Sequence, residues 1–176
     1  MGEHADFEQF VMAHLDAGYN LARWLTHDAQ DADDVVQDAC VRAMKYITSL
    51  QGDGRAWFLT IVRRAFYDWL ARNRPAALVW DEQAVAAAVD SADGPEQALA
   101  RKTAGLALAD AVAQLPLPFR EVIVLRELEE LSYKDIARIA DIPIGTVMSR
   151  LARARRMLQD SAALRSVVAS PSGSER

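Results

Sequence analysis

The stretch from Leu131 to Leu158, LSYKDIARIADIPIGTVMSRLARARRML, constrains this chain more than any other. Its apolar residues fall into two short helical registers with a break between them. Ser132 precedes the first register as a cap, and Asp135 stands three residues on, as in a capping box. Ile136, Ala137 and Ile139 give that helix an apolar side. Asp141-Ile142-Pro143 ends it, because a proline disfavours helical geometry at the residue before it. A second helix is expected from about Gly145 to Leu158, capped by Thr146 or Gly145. Val147, Leu151, Ala154 and Leu158 lie at helical spacing on its inner side.

The outer face of that second helix carries Arg150, Arg153, Arg155 and Arg156, and no acid occurs between Ile144 and Gln159. Ser149 and Ala152 lie among the arginines and let a backbone come close. A helix of this kind suits a major groove, where arginine offers paired donors to guanine edges or to phosphate. The plainer alternative is a solvated basic face over an ordinary apolar stripe.

Specificity comes from the run Pro143, Gly145, Thr146, Val147, Ser149, Arg150, Leu151, Arg153, Ala154 and Arg155. It resembles the second DNA-binding region of the extracytoplasmic-function (ECF) branch of the sigma-70 family. The resemblance implies an all-α chain of two small helical domains joined by a flexible linker, the C-terminal one holding a helix-turn-helix. It turns Met148, Ser149, Ala152 and Arg153 toward the bases of a −35 duplex. It turns Thr146, Arg150, Arg155 and Arg156 toward phosphates or structural pairing. Most relatives carry a basic residue where this chain has Met148, so the resemblance implies a contact that is either weakened or apolar, against a thymine methyl for example.

Charge is distributed to match. The chain of 176 residues has a formal net charge of −5 and a pI near 5.2. Residues 1–75 hold 8 basic and 11 acidic groups, residues 76–100 hold none and 5, and residues 101–176 hold 12 and 9. The successive balances are thus −3, −5 and +3. An acidic whole with one basic reading head fits a protein delivered to DNA by a larger partner. A single cysteine, Cys40, excludes an intramolecular disulfide, and its apolar neighbours suggest a buried thiol. No segment approaches the ~20 apolar residues of a membrane span, and the polar, acidic start does not read as a signal peptide. Membrane insertion is therefore not expected. His4, His14 and His27 lack companions at metal-ligand spacing, and no metal or cofactor is expected.

The N-terminal half reads as helices. Residues 1–27 supply apolar faces through Phe7, Phe10, Val11, Leu15, Tyr19, Leu21, Ala22 and Leu25. The acids of residues 28–34 then open the next helix, where exposed amides and the dipole favour negative charge. Val35, Val36, Ala39, Cys40, Ala43, Met44 and Ile47 form its stripe. This segment, DADDVVQDACVRAMKYI, resembles the sigma region that grips the coiled coil of the RNA polymerase largest subunit. Asp34, Gln37, Asp38, Arg42 and Lys45 are the contacts the resemblance implies.

Residues 48–55, TSLQGDGR, read as a loop. In the resembled family this loop helps capture an unstacked base of the −10 element, which carries over loosely to Gly52, Asp53 and Arg55. The next segment, residues 56–74, reads as a strong helix with Trp57, Phe58, Ile61, Ala65, Trp69 and Leu70 inward. Arg63, Arg64, Tyr67, Arg72 and Arg74 are expected at its surface, where rings stack on bases and arginines hold phosphates of single-stranded DNA. Ala56, Trp57, Ile61, Asp68 and Arg72 match the family pattern, whereas Phe58 and Arg64 depart from it. The −10 set is thus Gly52, Asp53, Arg55, Arg63, Arg64, Tyr67 and Arg72.

The expected organisation is a polymerase- and −10-binding domain over residues 1–75, an acidic linker over 76–99, a −35-binding domain over 100–160 and a disordered tail over 161–176. Helices are expected from Leu99 to Gln114 and again from Phe119 to Leu128, the latter with Phe119, Val122, Ile123, Leu125 and Leu128 supporting the reading head. The partners implied are core RNA polymerase, through its largest-subunit coiled coil and its flap, promoter DNA, and an anti-sigma protein; the chain would work in the cytoplasm. No phosphate-binding loop, dinucleotide fingerprint or Ser-His-Asp grouping supports an enzyme. The serious rival is a one-component helix-turn-helix regulator, which binds duplex DNA without core polymerase.

Overall fold

The computed structural model describes residues 2–78 and 104–161. All regular elements among them are helical. Three long helices form the N-terminal unit: α1 (Gly2–Thr26), α2 (Ala29–Tyr46) and α3 (Gly54–Asn73). Short 3-10 turns follow α2 at Ile47–Ser49 and α3 at Pro75–Leu78. The C-terminal unit contains α4 (Ala104–Gln114), α5 (Leu117–Ile123), α6 (Tyr133–Ala140) and α7 (Ile144–Asp160). A wider π-helical turn, Val124–Leu128, extends α5.

The acidic entry to α2 is a working cap. Asp28 has extended backbone geometry, and its Oδ1 accepts from the amides of Gln30 at 2.8 Å and Asp31 at 2.9 Å. Most of the apolar stripe of α2 then lies inward, with Ala32, Val35, Val36, Ala39 and Ala43 buried, but Met44 is 51% exposed and Ile47, in the 3-10 turn, is half-buried. Cys40 is half-buried rather than enclosed, and burial pushes its thiol above the usual value. In α3 the expected inward positions Phe58, Ile61, Ala65, Trp69 and Leu70 are buried, while Trp57 is only half-buried. Close approach of α1 to α3 depends on Gly18, where an added Cβ would stand 2.6 Å from the Phe58 ring.

The loop between α2 and α3 is shorter than expected. A 3-10 turn takes Ile47–Ser49, and Asp53 caps α3 by accepting from the Arg55 amide at 3.1 Å. Gly52 holds the one left-handed conformation of the loop, φ 74°.

In the C-terminal unit the corner forms where Asp141-Ile142-Pro143 required it. Asp141 adopts the left-handed conformation, φ 55°, and the Ile142 amide donates back to the Ala137 carbonyl at 3.0 Å. Ser132 caps α6 by accepting from the Asp135 amide at 3.1 Å. Its hydroxyl donates to Asp135 Oδ2 at 2.6 Å, so the reciprocal bond runs through the side chains. Helix α7 starts earlier than expected, at Ile144, and neither Thr146 nor Gly145 caps it. Pro143 holds the cap position, without a side-chain bond. Pro143 and Ile144 suffice because the fixed φ of proline pre-organises the first turn. Leu128, expected inward, is 46% exposed because the π-helical turn rotates it off the stripe of α5. The expected linker begins inside the Pro75–Leu78 turn, and its residues 79–99, the start of the Leu99–Gln114 helix and all but the first residue of the tail fall outside the described residues.

The two units touch. Helix α3 packs against α6, and α1 packs against α5 and its π-helical extension. Their apolar interiors run together as one cluster, from Leu21, Val35 and Phe58 to Phe119, Ile136 and Leu151.

Candidate nucleic-acid interface

Helix α7 sorts the sequence-derived −35 residues onto three sides. Val147, Leu151 and Ala154 are buried against α5 and α6. Met148, Ser149, Ala152 and Arg156 are exposed and share one side, at helical positions i, i+1, i+4 and i+8. Met148 is 53% exposed, at the centre of this side. Ser149 donates to the Thr146 carbonyl at 3.1 Å, which turns its hydroxyl along the helix.

Thr146, Arg150 and Arg153 lie on the flank, half-buried. Arg153 stacks over the Phe119 ring at 5.5 Å, so its stem is held against α5. Arg150 lies near enough to Glu121 and Tyr67 to influence both electrostatically. Arg155 is exposed and donates to Glu127 Oε1 at 2.7 Å. That bond raises the Arg155 pKa above its ordinary value.

The −10 set divides more sharply. Arg64 and Arg72 are exposed, with Arg72 3.9 Å from Asp38. Arg63 and Tyr67, expected at the surface, are half-buried beneath the C-terminal unit. Arg63 forms an ion pair with Glu121, whose side chain is 1% exposed, and lies 4.5 Å over the Tyr67 ring. Burial by itself disfavours the Arg63 charge, and Glu121 more than offsets this. Burial likewise pushes the Glu121 carboxyl upward, against the pull of Arg63 and Arg150. Tyr67 is pushed up by burial and then by Glu121. Arg55 donates to the Glu129 carbonyl at 2.7 Å and pairs with its carboxylate. Sequence reasoning placed these arginines correctly on α3 but could not see what faced them.

The polymerase set lies along α2. Asp34, Gln37 and Lys45 are exposed. Asp38 and Arg42 are half-buried and bonded to one another at 2.8 Å, and Arg42 also reaches Asp68 of α3 at 2.6 Å. Arg42 therefore ties α2 to α3 as well as facing outward. Val41, Met44 and Tyr46 add exposed apolar area to the same helix, at 61%, 51% and 52%.

Sequence reasoning missed Glu121, Glu129, Arg120 and Asn20. Asn20 donates to Glu129 Oε1 at 2.6 Å, and Arg120 donates to the Trp24 and Leu25 carbonyls at 3.3 Å each. A signal existed for Glu121. It sits four residues before Leu125 and beside Val122, on the apolar stripe of its own helix. A carboxylate in that place needs a partner.

Among the described residues no three His, Cys, Asp or Glu side chains converge as metal ligands, and no helix is long and apolar enough to cross a membrane.

Comparison with known proteins agrees with this geometry. Residues 10–75 match sigma-70 region 2, and residues 105–158 match sigma-70 region 4. The RNA polymerase sigma-H factor of Pseudomonas aeruginosa is 32% identical over 89% of this chain and 86% of its own length. The ECF RNA polymerase sigma-E factor of Haemophilus influenzae is 33% identical over 80% of this chain and 78% of its own. Among solved structures, the sigma factor RpoE of Bartonella quintana, crystallised with the anti-sigma factor NepR, is 27% identical with a TM-score of 0.67, covering 91% of this chain and 97% of that one. With both regions present in order, each on its own helical unit, the chain belongs to the ECF branch of the sigma-70 family of RNA polymerase sigma factors.

Proposed function

We propose a division of labour for the promoter recognition that family membership assigns to this chain. The N-terminal unit, residues 1–75, docks on core polymerase and holds the melted −10 strand. The C-terminal unit, residues 100–160, reads the −35 duplex. The chain makes no phosphodiester bond; its binding lowers the cost of opening and positions the start site.

The observation that carries this reading is the exposed side of α7. Met148, Ser149 and Ala152 offer a low-relief strip able to approach base edges, with Met148 directed at an apolar feature such as a thymine methyl. Arg156 stands at its margin, suited to phosphate. Arg153 joins the base-reading group by leaving the Phe119 ring, and Thr146, Arg150 and Arg155 serve phosphates or hold the helix in place. On α3, Arg64 and Arg72 are available to a strand directly, as are the exposed Gly52 and Asp53 just before it, while Arg55, Arg63 and Tyr67 border the contact with the other unit.

Core polymerase meets α2 through Asp34, Gln37, Asp38, Arg42 and Lys45, with the largest-subunit coiled coil as the partner surface and the flap receiving the C-terminal unit. Exposed Val41, Met44 and Tyr46 support a protein partner on this helix. A second partner is an anti-sigma protein, the kind of molecule that NepR is to the Bartonella quintana factor. The chain acts in the cytoplasm, where its polymerase is.

Transcription in vitro with purified core polymerase tests the reading. Addition of this chain should confer selective starts, mapped on genomic templates. Selective duplex binding by the chain alone, with no selectivity gained by core, would replace this account with that of a one-component regulator.

A further inference from the structure

Two carboxylates of the C-terminal unit are almost wholly removed from water. Glu121 is 1% exposed and Glu129 is 3% exposed. Burying a carboxylate costs several kcal/mol unless it is paired and hydrogen-bonded. Arg150 of α7 acts on Glu121 electrostatically, but the ion pairs of both carboxylates are made across the boundary. Arg63 of α3 pairs with Glu121, and Arg55 of α3 pairs with Glu129, joined by Asn20 of α1. Arg120 adds two more bonds across the boundary, onto the Trp24 and Leu25 carbonyls near the end of α1. These partnerships exist only while the units touch.

Arg55 and Arg63 are also the groups assigned to the −10 strand. An arginine fork binds a carboxylate and a phosphate with the same paired donors. We infer that Glu121 and Glu129 occupy, in the closed chain, the arginine donors that strand phosphates use, so that closing of the two units and binding of the melted strand exclude each other. The inference rests on the −10 reading of Arg55 and Arg63. No described helix spans the two units, which connect through residues 79–103, so separation breaks none. Opening exposes the arginines and carboxylates together, and DNA competes for the arginines alone.

The test uses the full chain with a pair of labels, Asp33→Cys and Gln159→Cys in a Cys40→Ser background, both sites being exposed. Distance between the labels and affinity for a single-stranded deoxyoligonucleotide of promoter −10 sequence are read together. Glu121→Lys with Glu129→Lys sets like charge against Arg63 and Arg55, and should lengthen the distance and tighten strand binding several-fold. Glu127→Lys with Glu130→Lys makes the same charge change on exposed acids nearby and should leave the distance unchanged, with a smaller gain in affinity. If the buried pair lowers the protein's helix content, Glu129→Arg alone serves instead, with the distance restored by adding Arg55→Glu. An unchanged distance, or an equal affinity gain in the exposed-acid control, overturns the inference. Failure of the −10 reading looks different: the units open as expected, yet core-dependent initiation is indifferent to Arg55→Ala and Arg63→Ala. That outcome overturns the competition and leaves a structural clasp.

Discussion

In α3 the guanidinium groups of Arg55 and Arg63 cross to the other unit and end on carboxylates with 4% and 1% side-chain exposure. In α7 Arg155 meets Glu127 at the surface, where the side chains are 46% and 50% exposed. Along the chain these are similar helices, each with arginines beside an apolar stripe. The difference teaches that an outward-facing arginine is defined relative to its own helix. Whether it meets water, DNA or a second unit depends on what packs there. It also separates a surface that is ready to bind from one that must first be uncovered.

The largest expected effect sharpens that contrast. Arg63→Ala leaves Glu121 without its partner and should lower stability to chemical denaturation by about 3–5 kcal/mol if the units stay closed. Arg155→Ala breaks an exposed pair and should cost less than about 1 kcal/mol. Equal losses would mean that the boundary at Glu121 is as wet as the surface of α7. Opening of the units would cap the first value, which the label distance would reveal.

Function should divide along the same line. Arg153→Ala is expected to cost about 1–3 kcal/mol of discrimination at one −35 position if its fork reads a base. Arg156→Ala should instead weaken binding evenly and reduce the salt slope by about 1. Competition binding of holoenzyme to promoters altered at single −35 positions measures both. Even loss on every sequence would demote Arg153 to a phosphate contact.

Packing offers a third comparison. Gly18→Ala forces a methyl group against Phe58 between α1 and α3, with an expected loss of about 1–3 kcal/mol on thermal unfolding. Gly145 has no atom within 4 Å of an added Cβ. Gly145→Ala should therefore stabilise by about 0.4–1 kcal/mol, through the unfolded chain.

The smallest effect is a pH dependence made of two opposed titrations. Burial raises Glu121 in the closed form, with Arg63 and Tyr67 of α3 and Arg150 of α7 facing it. Closing thus takes up a proton there, and the Glu121 contribution to closing grows as pH falls toward the ordinary carboxylate range. His27 shifts the other way, lowered by burial and then by Arg120 and Arg23. Its contribution is present above the ordinary histidine value of 6.5 and lost as pH falls through the depressed value. On acidification Glu121→Gln should open more steeply than the parent. His27→Asn should open less steeply, and asparagine suits the left-handed backbone at this position, φ 61°. Parallel curves for all three would show that neither group titrates with closure.

Much of the architecture was legible in order along the chain. The corner at Asp141-Ile142-Pro143, the Ser132 cap, the acidic entry to α2 and the inward residues of α7 are local, and period and capping chemistry report local structure. The exposed strip Met148, Ser149 and Ala152 follows from the same period. Leu128 escaped because a π-helical turn changes the phase of the stripe, and the cap of α7 escaped because Pro143 needs no side-chain oxygen.

The amino-acid order alone determined two helical regions, their chemistry and the family to which they belong. Only the tertiary structure decided that Arg55 and Arg63 are spent on Glu129 and Glu121, more than fifty residues away in the chain. The reason is physical. A helix period records which side of a segment avoids water, but a buried ion pair is a property of two surfaces. Neither half carries the identity of its partner until the fold brings them together.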